Sequence, residues 1–477
     1  MLENLRYLNP LCSRYASCKM QGIFGNEHKF TTWRKLWLAL AEAQQELGLA
    51  ITDQQLAQMK SNLSNINYEL AEQKERELRH DVMAHVYAYG EVAPKAKPII
   101  HLGATSYFLV DNTDIIIMKE ALLHIKNLVV TAIDALASFA EQHQNIPTLA
   151  FTHYQPAQPT TVGKRACLWL QDLLIDLEYL DDAISRLKLL GCKGTTGTAA
   201  SFLELFEGDH SKVKALEEKI AAKMGFSECY PVAGQTYSRK IDYYITSVLS
   251  GLAQSAHKFS NDIRLLSNLK EFDEPFESKQ IGSSAMAYKR NPMRSERIAS
   301  LARHVIVGTQ NTAWTASNQW LERTLDDSAN KRISIPEAFL AVDAIFALYI
   351  NIISGGTVFP KVIEKRLKEE LPFMATENIL MHCVKKGGDR QTLHEHIRTH
   401  SVAVAQNIKE NGGDNDLLTR ILADSAFNLT QDELDELMNI EKFIGRAPMQ
   451  VEEFLVDVRR ILQKNERFIG VEVEVKV

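Results

Sequence analysis

The sequence predicts an all-α protein built around a bundle of long helices. Its 477 residues include only 23 glycines and 13 prolines, which is below the usual combined share of about 12%. No proline occurs from 160 to 230, from 232 to 274 or from 293 to 335, so long helices can run there unbroken. The sequence does not alternate between strand-like and helix-like segments, so it does not indicate a parallel sheet.

Apolar spacing predicts the first helices in chain order. One helical face, bounded by a cap at Thr31 or Thr32 and a stop at Gly48, consists of Trp33, Leu36, Leu40, Ala43 and Leu47. A second helix from Asp111 to about Gln144 carries an apolar residue at every seventh position, and therefore needs neighbours along its length. These residues are Ile116, Leu123, Val130 and Ala137.

Later elements follow from the same patterns. Pro156 and Pro159 delay the next helix to about Thr160, from which it runs to about Leu190. A further helix lies between Asp209 as its cap and Gly225 as its stop; its apolar face consists of Val213, Leu216, Ile220 and Met224. The tail "FIGVEVEVKV" alternates apolar and polar residues and is the one clear candidate strand.

Two shifts in composition, at 101–112 and 354–362, divide the chain into three predicted domains. These are an amino-terminal helical domain (1–110), a central long-helix bundle (111–358) and a carboxy-terminal helical domain (359–477).

Composition also restricts the partners and the compartment. The net charge of −6, from 54 basic and 60 acidic residues, argues against a long-range field that attracts nucleic acid. The amino-terminal segment lacks the apolar core of a secretory signal, and no apolar run reaches the length of a membrane span. The six cysteines form no CxxC pair, which favours a reducing compartment. We therefore expect a cytoplasmic protein without membrane or nucleic-acid partners.

Four polar segments interrupt the predicted helices and are the candidates for chemistry. They are "RHDVMAH" (79–85), "HLGATSYFLVDNTD" (101–114), "THYQPAQPTT" (152–161) and "GSSAMAYKRNPM" (282–293). His153 could transfer protons near neutral pH, although a capping or packing role is the more common explanation of a single histidine. In the last segment, Gly282 permits an unusual backbone, and the N–H groups with Lys289 and Arg290 could hold an anion.

A metal or cofactor site finds little support in the sequence. The segment "LHEHIRTH" places His396 and His400 one helical turn apart, as two zinc ligands would be. It is not an HExxH motif, because Arg398 lies four residues after His394. There is also no GxGxxG or GxxxxGK[ST] segment. We expect neither a metal nor a cofactor.

The polar segments resemble those of a known superfamily. "GSSAMAYKRNP" resembles the GSSxMxxKxN segment of the fumarase and aspartase superfamily, and "GATSYFLVDN" and "THYQPAQPTT" resemble its other shared regions in the same order. "SRYAS", "KGTTGTAASF", "GQTYSRKID", "LERTLDDSANKR" and "GGDRQTLHEHIR" are similar to the adenylosuccinate lyase family, over essentially the whole chain. One departure is Ala287, where that family usually has proline.

This resemblance implies a fold and an activity. The fold would be the three-domain fumarase/aspartase-like fold, with a central bundle shared in a homotetramer and active sites built by more than one subunit. The activity would be that of a C–N lyase in purine and AMP biosynthesis. It would eliminate fumarate from adenylosuccinate to give AMP, and from the purine intermediate SAICAR to give AICAR, without a cofactor.

The resemblance also implies roles for individual residues. Ser283 would be the general base and His153 the general acid, although the residues alone leave Ser284 open as the base. The implied substrate contacts are Arg14, Tyr15, Arg79, His80, Asp81, Thr105, Ser106, Thr152, Gln235, Lys289, Asn291, Arg297, Arg323, Ser328 and Arg332. Arginine suits a substrate with one phosphate and two carboxylates, because it binds both groups bidentately.

Three other functions remain open at this point. The chain could be another fumarate-releasing lyase, such as one acting on argininosuccinate. It could be a non-catalytic structural relative, as in lens crystallins, although His153, Ser283 and Lys289 are all present. The basic segment "YKRNPMRSER" could bind nucleic acid, but Tyr288 is its only aromatic residue.

Overall fold

The computed structural model describes residues 7–476, which are mostly helical, so the all-α prediction is confirmed. The first helices are α1 (Cys18–Ile23), α2 (Asn26–Glu46), α3 (Asp53–Ser61), α4 (Tyr68–Leu78), α5 (Asp81–Val92) and α6 (Ser106–Gln142). They are followed by α7 (Val162–Arg186), α8 (Ala200–Leu205), α9 (His210–Lys223), α10 (Lys240–Asn268), α11 (Met293–Ser317) and α12 (Asp327–Gly355). The last are α13 (Pro360–Met374), α14 (Thr376–Lys385), α15 (Arg390–Asn411), α16 (Leu417–Ala423), α17 (Gln431–Leu437) and α18 (Ala447–Lys464).

The other described elements are a short π-helix (Leu11–Tyr15), two short 3-10 helices (Ile440–Lys442 and Glu466–Phe468) and two short antiparallel strand pairs. β1 (Pro147–Thr152) pairs with β2 (Gln155–Thr161), and β3 (Phe272–Asp273) pairs with β4 (Thr357–Val358).

The long helices α6, α7, α10, α11 and α12 pack against one another at the centre of the molecule. α6 and α12 run in the same direction. Near their starts, Lys331 donates to Asp114, and further along, His124 lies 2.8 Å from Asp343. Because a short connection joins α11 to α12, these two neighbours run antiparallel. The bundle therefore has two distinct ends.

The apolar residues form two separate cores. The larger core includes the central bundle, the amino-terminal helices and parts of α13 and α18. The smaller core is formed by α14 to α17 and the segments between them, from Ala375 to Leu434. The predicted carboxy-terminal domain (359–477) thus contributes to both cores, and the three-domain division remains a prediction.

Between residues 7 and 476, two helices are long and apolar enough to cross a membrane by length and composition, namely α6 and α12. Their most apolar windows are 72% and 83% buried inside the fold. This burial is what core helices of a soluble protein show.

Several predicted helix boundaries are confirmed and others are wrong. α9 begins after Asp209, whose carboxylate accepts from the N–H groups of Ser211 and Lys212. α2 ends before Gly48 as predicted, but it begins at Asn26 rather than near Thr31. The polar segment from 101 to 114 is not a loop throughout, because α6 begins at Ser106. Its polar residues Asp111 and Asn112 looked loop-like in sequence, yet both are buried and hydrogen-bonded.

The strand expectations were wrong in two places. The tail from 471 to 476 forms no strand, because no neighbouring strand pairs with its backbone. Its alternation reflects packing instead, since Val471, Val473 and Val475 lie against the main core. The segment 155–161, interpreted as a loop, is strand β2. Its prolines are tolerated because the sheet has only two strands, which are both edges.

Candidate active site

His153 lies in the two-residue turn between β1 and β2. Both His153 (φ 52°) and Tyr154 (φ 57°) adopt left-handed backbone conformations, which two-residue hairpin turns require and which non-glycine residues seldom adopt. The two side chains and that of Thr152 are exposed. Backbone strain of this kind often marks a functional site, and here it holds an imidazole out from the protein surface.

The segment from 282 to 292, which we call the Ser283 loop, lies between β3 and α11 and leads directly into α11. The Ser283 hydroxyl oxygen accepts hydrogen bonds from the backbone N–H groups of Met286 (3.1 Å) and Ala285 (3.3 Å). Asn291 closes the loop by donating from its side-chain amide to the Gly282 carbonyl (2.8 Å). Two N–H donors aimed at one hydroxyl oxygen would stabilise negative charge on that oxygen.

The base of this loop is fixed by Glu274. Its carboxylate accepts from the N–H groups of Arg294 (2.9 Å) and Ser295 (2.7 Å) at the start of α11, which caps that helix. Arg294 is buried and also donates to the Pro275 carbonyl. Lys289 and Arg290 remain exposed at the rim. The loop is therefore anchored at its base and open at its tip.

A second group lies near the start of α11, at the same end of the bundle as the Ser283 loop. It consists of Arg14, Tyr15 and Arg297. The Arg297 guanidinium lies 5.8 Å from the centre of the Tyr15 ring. The three side chains line one cavity with the α12 residues Ala344, Ala347 and Leu348 and the tail residues Glu474 to Lys476. Sequence reasoning missed this contribution of the tail, because its alternating pattern suggested a strand.

A third group lies at the opposite end of the bundle. His80 caps α5 by accepting the Met83 N–H at Nδ1, so its Nε2–H can donate to the Ser106 hydroxyl at 3.2 Å. Asp81 lies 3.7 Å from the Arg332 guanidinium. The exposed Arg79 precedes them in a left-handed conformation that ends α4. These predicted site residues come from α4, α5, α6 and α12.

The remaining predicted residues lie at the same end. Thr105 is the residue before α6, and Ser328 lies in the first turn of α12. The backbone N–H of Gln235 donates a hydrogen bond to the Glu322 carbonyl (3.1 Å). Arg323 donates to the Tyr107 hydroxyl and to Asp327. Tyr107 was not among the predicted site residues, and only its position beside Ser106 could have suggested it.

A buried ion network, which the sequence did not reveal, positions this third group. Arg239 is fully buried between Asp111 (2.9 Å) and Asp327 (2.6 Å), and Lys331 bridges Asp111 (3.3 Å) and Asp114 (2.6 Å). The network ties the starts of α6, α10 and α12 together. Polar residues at helical positions resemble solvent-facing ones in a sequence, so only the packing identifies them as buried.

Burial and charge act in opposite directions within this network. Burial raises the pKa of the neighbouring Asp242 to about 6, although Arg239 and Lys331 oppose the rise. Burial lowers the pKa of Lys331, but Asp114 and Asp111 outweigh it and the net shift is upward. Lys331 therefore stays charged and holds its carboxylate partners in place.

The predicted site residues of one chain fall at two ends that are far apart. Ser106 and Gln142 are the ends of one 37-residue helix, which spans about 54 Å at a rise of 1.5 Å per residue. The hairpin that carries His153 follows the far end. Along α12, Arg332 and Ala347 are separated by about 22 Å on the same basis. No hydrogen bond or ion pair between residues 7–476 joins the Ser283 loop to the His153 turn.

Metal donors do not converge at any of these groups. Within residues 7–476, the one group of three His, Cys, Asp or Glu side chains with converging donor atoms is His396, His400 and Asp424, which are partly exposed.

Comparisons with known proteins agree with the fold. A family model described as "Lyase" matches residues 22–307, and one described as "Adenylosuccinate lyase C-terminus" matches residues 372–454. An adenylosuccinate lyase of Saccharomyces cerevisiae is 52% identical over 468 residues, covering 97% of both chains. One of Schizosaccharomyces pombe is 51% identical over 452 residues, covering 94% of both. Among solved structures, the 3-carboxy-cis,cis-muconate lactonizing enzyme of Pseudomonas putida matches this chain with a TM-score of 0.82 and 22% sequence identity. The match covers 95% of this chain and 99% of that chain. At this identity, it supports the fold alone.

Proposed function

The chain belongs to the adenylosuccinate lyase family, and from this membership we propose that it eliminates fumarate from adenylosuccinate and from SAICAR, giving AMP and AICAR. The relatives at about 50% identity over nearly the whole chain support the nucleotide substrates. The geometry that carries the chemistry is the Ser283 loop, with two N–H groups directed at one hydroxyl oxygen.

The reaction needs a base, an acid and stabilisation of negative charge. The base takes a proton from the carbon next to a succinyl carboxylate. The electrons of that C–H bond form the double bond of fumarate, and the C–N bond electrons leave with the nitrogen, which takes a proton from the acid. Negative charge builds on the carboxylate before the C–N bond breaks, so fixed N–H groups and cations near it lower the barrier.

Ser283 suits the role of base once its oxygen is deprotonated. An alcohol is a weak base, so its alkoxide must be stabilised. The N–H groups of Ala285 and Met286 already point at the oxygen, and Lys289 in the same loop adds positive charge. Ser284 is exposed, and no side-chain hydrogen bond is described for it. We therefore assign the base to Ser283, with Lys289 and Asn291 holding the loop and the succinyl carboxylate.

His153 suits the role of acid because histidine is the side chain that most often transfers protons in catalysis. The turn holds the ring away from its own chain's surface, where a leaving nitrogen could reach it. Thr152, next to it in the chain, is assigned to substrate binding.

The substrate would be held by the cations and polar groups at the two ends of the bundle. Arg14, Tyr15 and Arg297 form one contact surface. The other consists of Arg79, His80, Asp81, Thr105, Ser106, Gln235, Arg323, Ser328 and Arg332. Arginines in both groups match a substrate that carries a phosphate and two carboxylates.

We propose that the enzyme is a homotetramer whose active sites are shared between chains, and the same geometry supports this proposal. The two groups in one chain are too far apart to touch one mononucleotide, so a complete site would combine ends from different chains. Exposed apolar side chains on the bundle helices support such an assembly; they include Leu168, Ile175, Tyr179, Tyr244, Val307 and Trp314. We place the enzyme in the cytoplasm, acting without a cofactor or a catalytic metal.

An ultraviolet assay of the purified protein with adenylosuccinate, SAICAR and argininosuccinate tests the proposal. We expect turnover of the two purine substrates and none of argininosuccinate. Ser283→Ala should lower turnover by about 10²-fold or more, and Ser284→Ala is the matched control that should retain most of it. Turnover of argininosuccinate alone, or of no substrate, would contradict the proposed activity. A fully active Ser283→Ala enzyme would contradict only the assignment of the base.

A further inference from the structure

We propose that His396, His400 and Asp424 form a binding site for a late first-row divalent metal ion such as Zn²⁺, separate from the active site. His396 and His400 lie one turn apart on α15, and Asp424 follows the last residue of α16. Their donor atoms all lie within 4.8 Å of one another. The sequence showed only the two histidines, because the third donor is 24 residues further along the chain.

The donor atoms converge on one point. His396 Nδ1 lies 2.7 Å and His400 Nε2 lies 2.9 Å from the same carboxylate oxygen, Asp424 Oδ2. An ion with bonds of about 2.0–2.2 Å to nitrogen and oxygen fits between these atoms after small side-chain rotations. Two imidazoles and one carboxylate favour Zn²⁺ and its neighbours over Mg²⁺ or Ca²⁺, which prefer oxygen donors alone. A fourth position would remain for water.

Surrounding contacts hold the donors in position. The other carboxylate oxygen, Asp424 Oδ1, accepts the Ala426 N–H at 3.0 Å, so Oδ2 can bind an ion while Oδ1 keeps its partner. The His396 ring packs edge-on against the buried Phe427. Outer contacts of this kind orient the ligands of protein metal sites.

The charge and exposure of the cluster also favour a cation. The Asp424 carboxylate is the acidic group of the cluster, and both imidazoles lie against its Oδ2. No lysine or arginine within residues 7–476 forms an ion pair with it. The side chains are 40%, 24% and 18% exposed, which leaves a path for an ion from solvent.

A bound ion would join α15 to the segment after α16. Both belong to the smaller core, formed by α14 to α17. Because the ion would bind the folded arrangement of donors and not the unfolded chain, it should stabilise this part of the protein. Its role would therefore be structural, and its binding should be measurable without any assay of catalysis.

Isothermal titration of the full-length protein with ZnCl₂ tests the proposal. The protein is first freed of metal with a chelator, and its exposed thiols at Cys12 and Cys18 are alkylated so that they cannot compete. We expect one saturable equivalent per chain and a higher melting temperature with zinc. His396→Ala, His400→Ala and Asp424→Asn should each weaken binding by about tenfold or more.

His394→Ala is the matched control, because this exposed histidine lies on the same helix outside the cluster. It should bind zinc as the parent protein does. Asp424→Asn keeps an oxygen acceptor for the Ala426 N–H, and circular dichroism of each metal-free variant establishes that it is folded. Co²⁺ provides a second probe. The absorption spectrum of the Co²⁺-bound protein should show bands typical of nitrogen and oxygen ligands and no thiolate charge-transfer band. Absence of saturable zinc binding, or equal binding by folded variants of all three ligands, would overturn the proposal.

Discussion

At Gly282, the two ends of the Ser283 loop approach so closely that no side chain fits between them. A Cβ at this position would lie 2.2 Å from the Lys289 carbonyl oxygen and 3.3 Å from the Phe276 ring. The first contact is with backbone, so it can be relieved only by moving the loop. The hydrogen bonds to the Ser283 oxygen depend on this local backbone path.

We therefore predict that Gly282→Ala lowers turnover of adenylosuccinate by about tenfold or more, since small displacements of reacting groups are costly. The melting temperature should change little, because the loop is mostly exposed. Gly308→Ala on α11 is the control, as a Cβ there meets nothing within 4 Å, and it should leave both quantities near those of the parent enzyme. Unchanged turnover in Gly282→Ala would show that the loop tolerates the displacement.

Buried His85 should make the protein sensitive to mild acid. Its ring stacks on Phe30 at 3.9 Å, and burial, aided by the Arg34 and Lys29 charges, lowers its pKa from 6.5 to about 4. The unfolded chain thus binds more protons than the folded one between these values. Stability present above pH 6.5 is lost as the pH falls towards 4.

Replacing this histidine by an aromatic ring that does not titrate should reduce the acid sensitivity. We predict that His85→Phe narrows the difference in unfolding free energy between pH 7 and pH 5 by on the order of 2 kcal/mol. Urea unfolding at both pH values measures it. Exposed His394→Gln should keep the parent difference, and an equal difference in His85→Phe would mean that His85 is not the titrating group.

The sequence predicted candidate reactive residues, but it did not predict their surroundings. Ser283 and His153 stood out because serine, glycine and cations cluster in one segment and because prolines flank the histidine. Neither the left-handed backbone of His153 nor the pairing of Asp424 with two histidines could be predicted. Packing forces the non-glycine residue His153 into its left-handed conformation, and packing brings the distant Asp424 to the two histidines. Local spacing in the sequence encodes neither effect.

At the scale of the elements, the first turns of α12 carry two neighbouring cations, the buried Lys331 and the exposed Arg332. Lys331 is 5% exposed and joins Asp111 and Asp114. Arg332, the next residue, is 56% exposed, and its closest ion-pair partner is Asp81 at 3.7 Å. Because successive residues on a helix point in different directions, one supports the bundle and the other faces the proposed site.

Substitution of each cation by methionine should separate these two roles. Lys331→Met removes a cation from the buried Asp111 and the partly exposed Asp114 and should destabilise the protein by about 3–5 kcal/mol. Arg332→Met should change stability by less than about 0.5 kcal/mol, yet lower kcat/KM for adenylosuccinate by about tenfold or more through a lost charged contact. Thermal unfolding and steady-state kinetics of both variants test this, and equal destabilisation by the two would contradict it.

Elements with a strong helical period were predictable, and those defined by pairing were not. α9 and the end of α2 followed from apolar spacing with a cap or a glycine stop. The hairpin of β1 and β2 was missed because its prolines suggested a loop. The tail was wrongly predicted as a strand, because alternation of apolar and polar residues indicates burial on one side but not the presence of a partner strand. Backbone pairing depends on a second segment, which a single stretch of sequence does not specify.

At the scale of the whole molecule, the two ends of the bundle cannot serve one substrate within a chain. Arg332 lies at the start of α12, and Ser283 belongs to the loop beyond the other end of that helix, which is 29 residues long. The helix spans about 42 Å at 1.5 Å per residue, much more than a mononucleotide. Each complete site would therefore combine Arg332 of one chain with Ser283 of another.

Hybrid tetramers provide the decisive test of this arrangement. We predict that Arg332→Glu and Ser283→Ala are each nearly inactive alone, whereas hybrids produced by co-expressing them recover up to about a quarter of the parent activity. Random assembly leaves about a quarter of such sites with both residues intact. The hybrids are isolated through two different affinity tags, and a mixture of the separately purified variants is the control. If both residues served a site within one chain, no hybrid would regain activity, because every chain would still carry one defect.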